Sequence, residues 1–355
     1  MNKTLLIIFL VALSATKIAT AQFKSYELYG NFRIAHVGND TKIDGIGGPN
    51  SLFRARPGIR YFLDEKHSFS GRLVYLVSKE LEPLEFTIKP NGNREMAYGS
   101  LSFDEFFYQY QNNDFLFKAG RFQNTISVLS NAKRSHLRFQ SNAIFVHWTD
   151  GAYLKKGINE QWFGEAIIEY QNRDAVSFPY GSNLTFANNE HNLNYYLGVE
   201  NQNRDKNNII QKGFGVFIAP DSYLKQDGYS TYFAVSSVIA IDIPKKDLLR
   251  GGSFRIAGEL GQNLNTEFKN GTSAIASIGV NNVAEKHEFM IEFASTDTQW
   301  LTSSAFGQNS EEIEIRYRYF FTNQLNFDIR YRIRASRNNV VPTAYSTFIR
   351  LTYSL

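Results

Sequence analysis

Residues 313–321 read IEIRYRYFF, and after the three residues Thr322-Asn323-Gln324 the chain resumes at 325–336 with LNFDIRYRIRAS. These two stretches decide the fold. In the first, Ile313, Ile315, Tyr317, Tyr319 and Phe321 alternate with Glu314, Arg316 and Arg318. In the second, Leu325, Phe327, Ile329, Tyr331 and Ile333 alternate with Asp328, Arg330, Arg332 and Arg334. A period of two belongs to the pleat of a β-strand, whereas a helix repeats its apolar face every 3.6 residues. Two such strands joined by three residues form an antiparallel hairpin, greasy on one face and ionic on the other. Alternation by itself leaves two architectures open. A soluble sandwich buries the apolar face against a second sheet; a barrel in lipid turns it outward and keeps the ions inside.

Moving outward from this hairpin, the same pattern predicts sixteen strands. They lie near 26–37, 51–63, 68–79, 97–110, 114–123, 142–156, 162–172, 191–201, 209–219, 229–243, 252–263, 273–283, 287–298, 311–322, 325–337 and 344–355. Almost no helical periodicity interrupts them. Their connections alternate in length. Short turns at 64–67, 111–113, 159–161, 284–286 and 322–324 take turns with long segments at 81–96, 124–141, 173–190 and 299–310, and the first long connection is the Gly-rich GNDTKIDGIGGPN. The segments around 203–208 and 244–250 fit less neatly, being several residues long where short turns are expected. Long and short connections in turn are what an up-and-down barrel produces when its two rims face different compartments. An even strand number places both ends of the sheet on the short-turn rim.

Composition agrees with an all-β chain. Of 355 residues, 15% are aromatic and only 8 are Pro, and aromatic side chains favour pleated surfaces and water–lipid boundaries. There is no Cys, which excludes disulfides and thiolate chemistry. The formal charge of +4 shrinks further once Lys3 and Lys17 are assigned to a leader, so no charge argument for nucleic acid survives. That leader is residues 1–21, MNKTLLIIFLVALSATKIATA: a basic start, an apolar core from Leu5 to Leu13 and a small-residue site at Ala19-Thr20-Ala21. It has the pattern of a secretory signal peptide, and its core is too short for a spanning helix. Residues 22–355 are then one β-barrel domain. No later apolar run reaches the length of a spanning helix. An exported chain of this kind is either soluble or crosses a membrane as a closed sheet, the other structure that satisfies its backbone hydrogen bonds in lipid.

A signal peptide, sixteen amphipathic strands, alternating long and short connections and no Cys together resemble the bacterial outer-membrane porin superfamily. The likeness is architectural and extends over residues 22–355. The final strand, with Tyr345, Thr347, Ile349, Leu351, Tyr353 and Leu355, is similar to the C-terminal signal read by the barrel-assembly machinery, although it ends in Leu355 with the aromatic residue two positions earlier. Phe117–Gln123, FKAGRFQ, is similar to the strand preceding the constriction loop. The resemblance implies a transmembrane antiparallel up-and-down barrel in the outer membrane, surrounded by its lipids, assembled as a homotrimer and passing small hydrophilic solutes. It also implies that the third long loop, 124–141, folds into the lumen as a constriction.

In such a barrel, strand phase reads as chemistry. Tyr26, Leu28, Phe32, Ile34, Phe53, Ala55, Ile59 and Tyr61 are expected to face lipid, leaving Arg33, Arg54, Arg56 and Arg60 inside. Arg316, Arg318, Arg330, Arg332, Arg334 and Arg350 are expected inside on the last three strands. Closure makes the last strand the neighbour of the first, so these groups merge into one basic wall with Glu27, Glu314 and Asp328 as nearby acidic partners. Inward carboxylates are expected to gather on the opposing wall: Glu165, Glu169, Glu259, Glu288 and Glu292. Arginines lining a pore favour anions, because the guanidinium stays charged and sheds water readily. For any single arginine, solvation of the lumen by pairing with a carboxylate is an equal reading. The loop 124–141 carries Lys133, Arg134, His136 and Arg138 without an acid, so it is basic whether it narrows the lumen or meets lipopolysaccharide phosphates at the rim. Two further readings stay open: a channel or exporter specific for an anionic solute such as phosphate, a carboxylate or an acidic saccharide, and a secreted soluble all-β binding protein.

Catalytic and metal chemistry find little support. The six His are scattered at 36, 67, 136, 147, 191 and 287 with no metal-ligand spacing. His147-Trp148-Thr149-Asp150 is the most suggestive cluster, but neither a Gly-x-Ser-x-Gly motif nor a second His accompanies it. No cofactor, metal or enzymatic activity is expected.

Overall fold

The computed structural model describes residues 25–39, 50–77, 85–86, 100–123, 148–170, 193–201, 208–225, 228–245, 247–265, 271–298, 300, 309–337 and 343–355. Their strands are β1 (Tyr26–Asn39), β2 (Asn50–Phe62), β3 (His67–Val77), β4 (Glu85–Phe86), β5 (Ser100–Gln111), β6 (Phe115–Phe122), β7 (Thr149–Gly157), β8 (Trp162–Tyr170) and β9 (Leu193–Asn201). The second half supplies β10 (Ile209–Lys225), β11 (Gly228–Pro244), β12 (Ser253–Asn263), β13 (Thr272–Val283), β14 (His287–Thr296), β15 (Ser310–Phe320), β16 (Leu325–Ser336) and β17 (Ala344–Ser354). Apart from β4, a two-residue piece lying parallel to the start of β5, each strand pairs antiparallel with the next, β3 passing directly to β5. The ring closes where β1 meets β17, in register from Asn31 opposite Ser354 to Asn39 opposite Ser346. The result is a closed sixteen-stranded β-barrel, and each expected strand has its counterpart in it.

Closure settles the choice that alternation left open. Along β16, Ile329 and Tyr331 stand outward at 37% and 42% exposure, while Arg330 and Arg332 are 6% and 2% exposed inside. The same phase runs round the ring. Leu28, Ile59, Phe69, Phe106, Leu197, Phe214, Ile256, Ile278, Phe293 and Ile315 are exposed on the outer face. Phe32 and Phe53 point the same way but are buried. An apolar belt of this extent far exceeds the patch a water-soluble surface carries.

Four of the short turns share one local device. The first side chain of the turn accepts hydrogen bonds from backbone N–H groups two and three residues on: Asp64 from Lys66 and His67 at 2.7 and 2.8 Å, Asn159 from Gln161 and Trp162 at 2.9 Å each, and Thr322 from Gln324 and Leu325 at 3.2 and 3.0 Å. Asn112 does the same with Asp114 alone, at 3.1 Å. Short polar side chains that mimic a backbone turn suit this position. Just above the turns, outward aromatics cluster around histidine twice. His67 packs against Tyr110 with ring centroids 4.9 Å apart and hydrogen-bonds Tyr108, and His287 repeats this with Tyr319 at 5.0 Å and Tyr317.

One connection departs from expectation. The strand near 209–219 does not stop at Pro220: β10 continues to Lys225 across an irregularity between Ala219 and Tyr223, and pairs with β11 up to Lys225 opposite Gly228. A proline lacks the N–H that a ladder uses and is tolerated in a sheet at such a bulge. Here Asp221 takes a positive φ of 45° and Ser222 Oγ donates to the Ala219 carbonyl at 2.6 Å, so the chain regains the sheet beyond the break.

Candidate functional site

The barrel interior holds the chemistry. β15 and β16 set inward residues opposite one another in register: Glu312 with Arg334, Glu314 with Arg332, Arg316 with Arg330 and Arg318 with Asp328. Glu314 takes an ion pair from Arg332 at 2.7 Å and another from Arg330 at 3.3 Å, and touches Arg316. Glu312 is held by Arg332 at 2.8 Å and Arg334 at 2.9 Å. Asp328 is clamped between Arg318 and Arg350, each at 2.6 Å. Arg318 also reaches Glu288 at 3.5 Å and Arg316 reaches Glu292 at 3.8 Å.

Across the seam, β1, β2, β3 and β5 continue the lattice. Arg60 meets Glu27 at 3.1 Å near the short-turn rim. Asp104 receives both arms of Arg72, at 3.0 and 2.9 Å, together with Gln123 at 3.1 Å and Arg56 at 2.5 Å. Glu105 takes Arg72 at 2.6 Å and the Tyr29 hydroxyl at 2.7 Å. Arg54 donates to the side-chain amide oxygen Oδ1 of Asn31 at 3.1 Å and stands directly opposite Arg33 in register.

The expected basic residues of the first and last strands thus meet on one continuous wall, interleaved with carboxylates. The expected opposing wall is different. Glu288 and Glu292 lie on β14 beside β15, where they pair with the arginines, so they belong to the basic wall and do not face it. Glu165, Glu169 and Glu259 do lie inside on the other half, joined by Glu200. There the dominant material is aromatic: Phe107, Phe122, Tyr153, Ile167, Tyr196, Phe217, Tyr232 and Trp300 form one buried cluster. Tyr153 donates to Glu165 at 3.2 Å, Thr149 to Glu169 at 3.1 Å and Gln211 to Glu200 at 2.7 Å. The Tyr196 ring lies flat on the wall over Gly198 and Gly215, where a Cβ would fall 2.3 and 2.6 Å from its hydroxyl. Near the long-connection rim, Ala35, Val37, Leu52, Val74, Leu76, Trp148 and Phe348 make a second apolar cluster. Arg330 and Arg350 lie over the Phe348 ring at 4.8 and 6.0 Å, linking this cluster to the charged wall.

Three solved structures are similar to this barrel in fold. Pseudomonas putida OprB superposes with a TM-score of 0.63 at 11% identity, covering 96% of each chain. Pseudomonas aeruginosa OpdL gives 0.56 at 12% identity over 94% of this chain and 99% of that one. A mutant of Rh. blastica porin gives 0.55 at 10% identity over 93% and 100%. The fold is a porin fold. At these identities the likeness is one of fold; no protein-family model matches the chain, and no curated protein matches its sequence.

Within the porin fold, Lys133, Arg134, His136 and Arg138 of the candidate constriction loop lie outside the described residues, as do the leader 1–21 and His147. Sequence reasoning missed Arg72, Asp104, Glu105, Glu200 and Glu312. Arg72 shares the inward phase of Ser68 and Ser70, a usable signal that Val74 and Leu76 obscure by continuing the same face with apolar residues. Asp104 and Glu105 are consecutive, and both are buried because a register shift between Arg72 and Leu73 marks a bulge in this pairing. Strict alternation cannot show that.

Proposed function

We propose that this chain is a channel of the bacterial outer membrane, admitting small hydrophilic solutes by passive diffusion with a preference for anions. The observation that carries the reading is the sidedness of the closed barrel, apolar outside and ionic inside, together with its likeness to solved porins. Buried carboxylates neutralise much of the arginine wall, but arginines outnumber them, and Arg33 opposite Arg54 and Arg316 opposite Arg330 set like charges side by side. Like charges directly opposed across a ladder oppose folding, and a passing anion relieves them. Residues 1–21 act as the signal peptide, the C-terminal strand addresses the barrel-assembly machinery, and the assembled form is a homotrimer. Lys133, Arg134, His136 and Arg138 add positive charge at the constriction or the outer rim.

Planar-bilayer recording in a salt gradient tests this. Discrete channels whose reversal potential has the anion-selective sign are expected; an absence of channels, or the opposite sign, overturns it. A second reading is a channel specific for one anionic solute. It draws on the apolar cluster around Phe348, which flanks the arginines with a low-dielectric surface where a charge is felt more strongly. Saturable block of the current by phosphate, a carboxylate or an acidic saccharide supports that reading over a general pore. The soluble reading needs the apolar face packed inward, which is the reverse of the disposition of Ile329 and Tyr331.

A further inference from the structure

The outer face over β7 to β12 is not a smooth apolar belt. Two contiguous grooves of about 650 and 710 Å³ run across it, sharing Val199 and Phe214. Their floor is made by residues too small to fill the surface, Gly164, Ala166 and Gly258, between walls of Leu197, Phe214 and Leu260. The floor glycines are not required by the backbone: a Cβ at Gly164 or Gly258 would meet its nearest neighbours only at 3.9 Å. The grooves therefore exist by choice of side chain.

At the short-turn end of the same grooves stand two lysines that point outward, Lys156 in one and Lys212 in the other. Both are exposed, and neither has a carboxylate partner among the described residues. On the short-turn half of the outer face of β8 to β12, the described residues include no outward carboxylate. A lysine on a lipid-facing surface is costly at mid-depth, and that cost vanishes only where its charged ammonium reaches the headgroup layer. Trp162, an anchor suited to that layer, fixes the level: the Lys212 ammonium lies 5.3 Å from its ring centroid. β7 and β10 are three strand spacings apart, ~15 Å at the backbone, a gap that two lysine side chains narrow from either side.

We propose that these grooves seat one phospholipid of the leaflet at the short-turn rim. Its phosphodiester lies between the Lys156 and Lys212 ammonium groups and its acyl chains lie over Gly164 and Gly258. Charge complementarity selects an anionic headgroup, and the notched apolar floor selects a chain over flat contact. The site is independent of the lumen and rests on the membrane-spanning reading.

The experiment uses the purified full-length barrel in detergent, with phosphatidylglycerol, diacylglycerol of the same chains, or inorganic phosphate added, and counts bound molecules by native mass spectrometry. One retained phosphatidylglycerol is expected, with neither diacylglycerol nor phosphate retained. Lys156→Gln with Lys212→Gln, and separately Gly164→Leu with Gly258→Leu, should each lower retention about tenfold. Single-channel conductance should stay at the wild-type value in both, which shows that the barrel is intact and reports on the membrane reading separately. Equal retention by wild type and both variants overturns the site. So does a change in oligomeric mass with the glycine variants while the lipid count stays constant, which would assign the groove to a second copy of the chain.

Discussion

Glu314 is the residue on which the basic wall turns. It is fully buried and faces Arg316, Arg330 and Arg332 at once. Removing one partner from a buried ion network leaves charge uncompensated, at a cost of about 3–5 kcal/mol. Glu314→Gln is therefore expected to lower stability by roughly 3 kcal/mol in denaturant unfolding, and at the same time to move the reversal potential towards anions. Arg54→Gln should move the reversal potential the other way, away from anions, with little loss of stability, since it removes a like-charge opposition with Arg33. A mutant pair that shifted selectivity in the same direction would show that the wall does not govern permeation. On the aromatic half, Gly198→Ala drives a methyl into the Tyr196 hydroxyl. Overpacking of this kind costs about 1–3 kcal/mol, and the tilt it forces on Tyr196 should alter unit conductance measurably while leaving ion preference in place.

At the scale of the element, the hairpin turns explain why the register is so regular. Asp64, Asn112, Asn159 and Thr322 each close the first turn residue onto the backbone ahead of it. The Asp64 carboxyl is held below the usual carboxylate range, chiefly by the Lys66 backbone N–H and further by that of His67. A depressed value in the folded state means that the carboxylate supports the turn above its ordinary pKa of ~3.9 and loses that support as the pH falls through the lowered value. The protection of the Lys66 and His67 amides, taken relative to their intrinsic exchange rates, should thus fall as the pH drops through the lowered carboxyl value. Asp64→Asn, which keeps the acceptor and removes the titration, should abolish that pH dependence and leave neutral-pH protection unchanged. These turn residues, and the strict alternation of β15 to β17, are why the strands were legible in the sequence. What was illegible is equally local. The bulge that buries Asp104 beside Glu105 breaks period two, and the irregularity after Pro220 hides a strand continuing where the composition reads as a loop. The aromatic filling of the lumen was missed for a related reason: inward Phe107, Phe122 and Phe217 carry no polarity to separate them from outward neighbours.

For the whole molecule, the arginine wall acts as a sum. Its charges are interleaved with carboxylates, so near any one guanidinium the field is largely local, and the excess of arginine is felt only at distances comparable to the lumen width. Salt sets which of these scales operates. The screening length is ~10 Å at 0.1 M and ~3 Å at 1 M. At low salt a solute anywhere in the lumen senses the net positive wall; at high salt only one in contact with Arg33, Arg54, Arg316 or Arg330 does. A general channel governed by the summed field should therefore lose most of its anion preference between 0.1 and 1 M salt, as read from reversal potentials at a fixed gradient ratio. A channel that selects by direct contact at the opposed arginines should keep its preference across that range and show saturable block by the bound anion. The two readings of the lumen make opposite forecasts for one titration, and the arrangement of charge favours the first, because nearly every arginine on the wall already has a carboxylate within contact distance and what remains for a solute is the field.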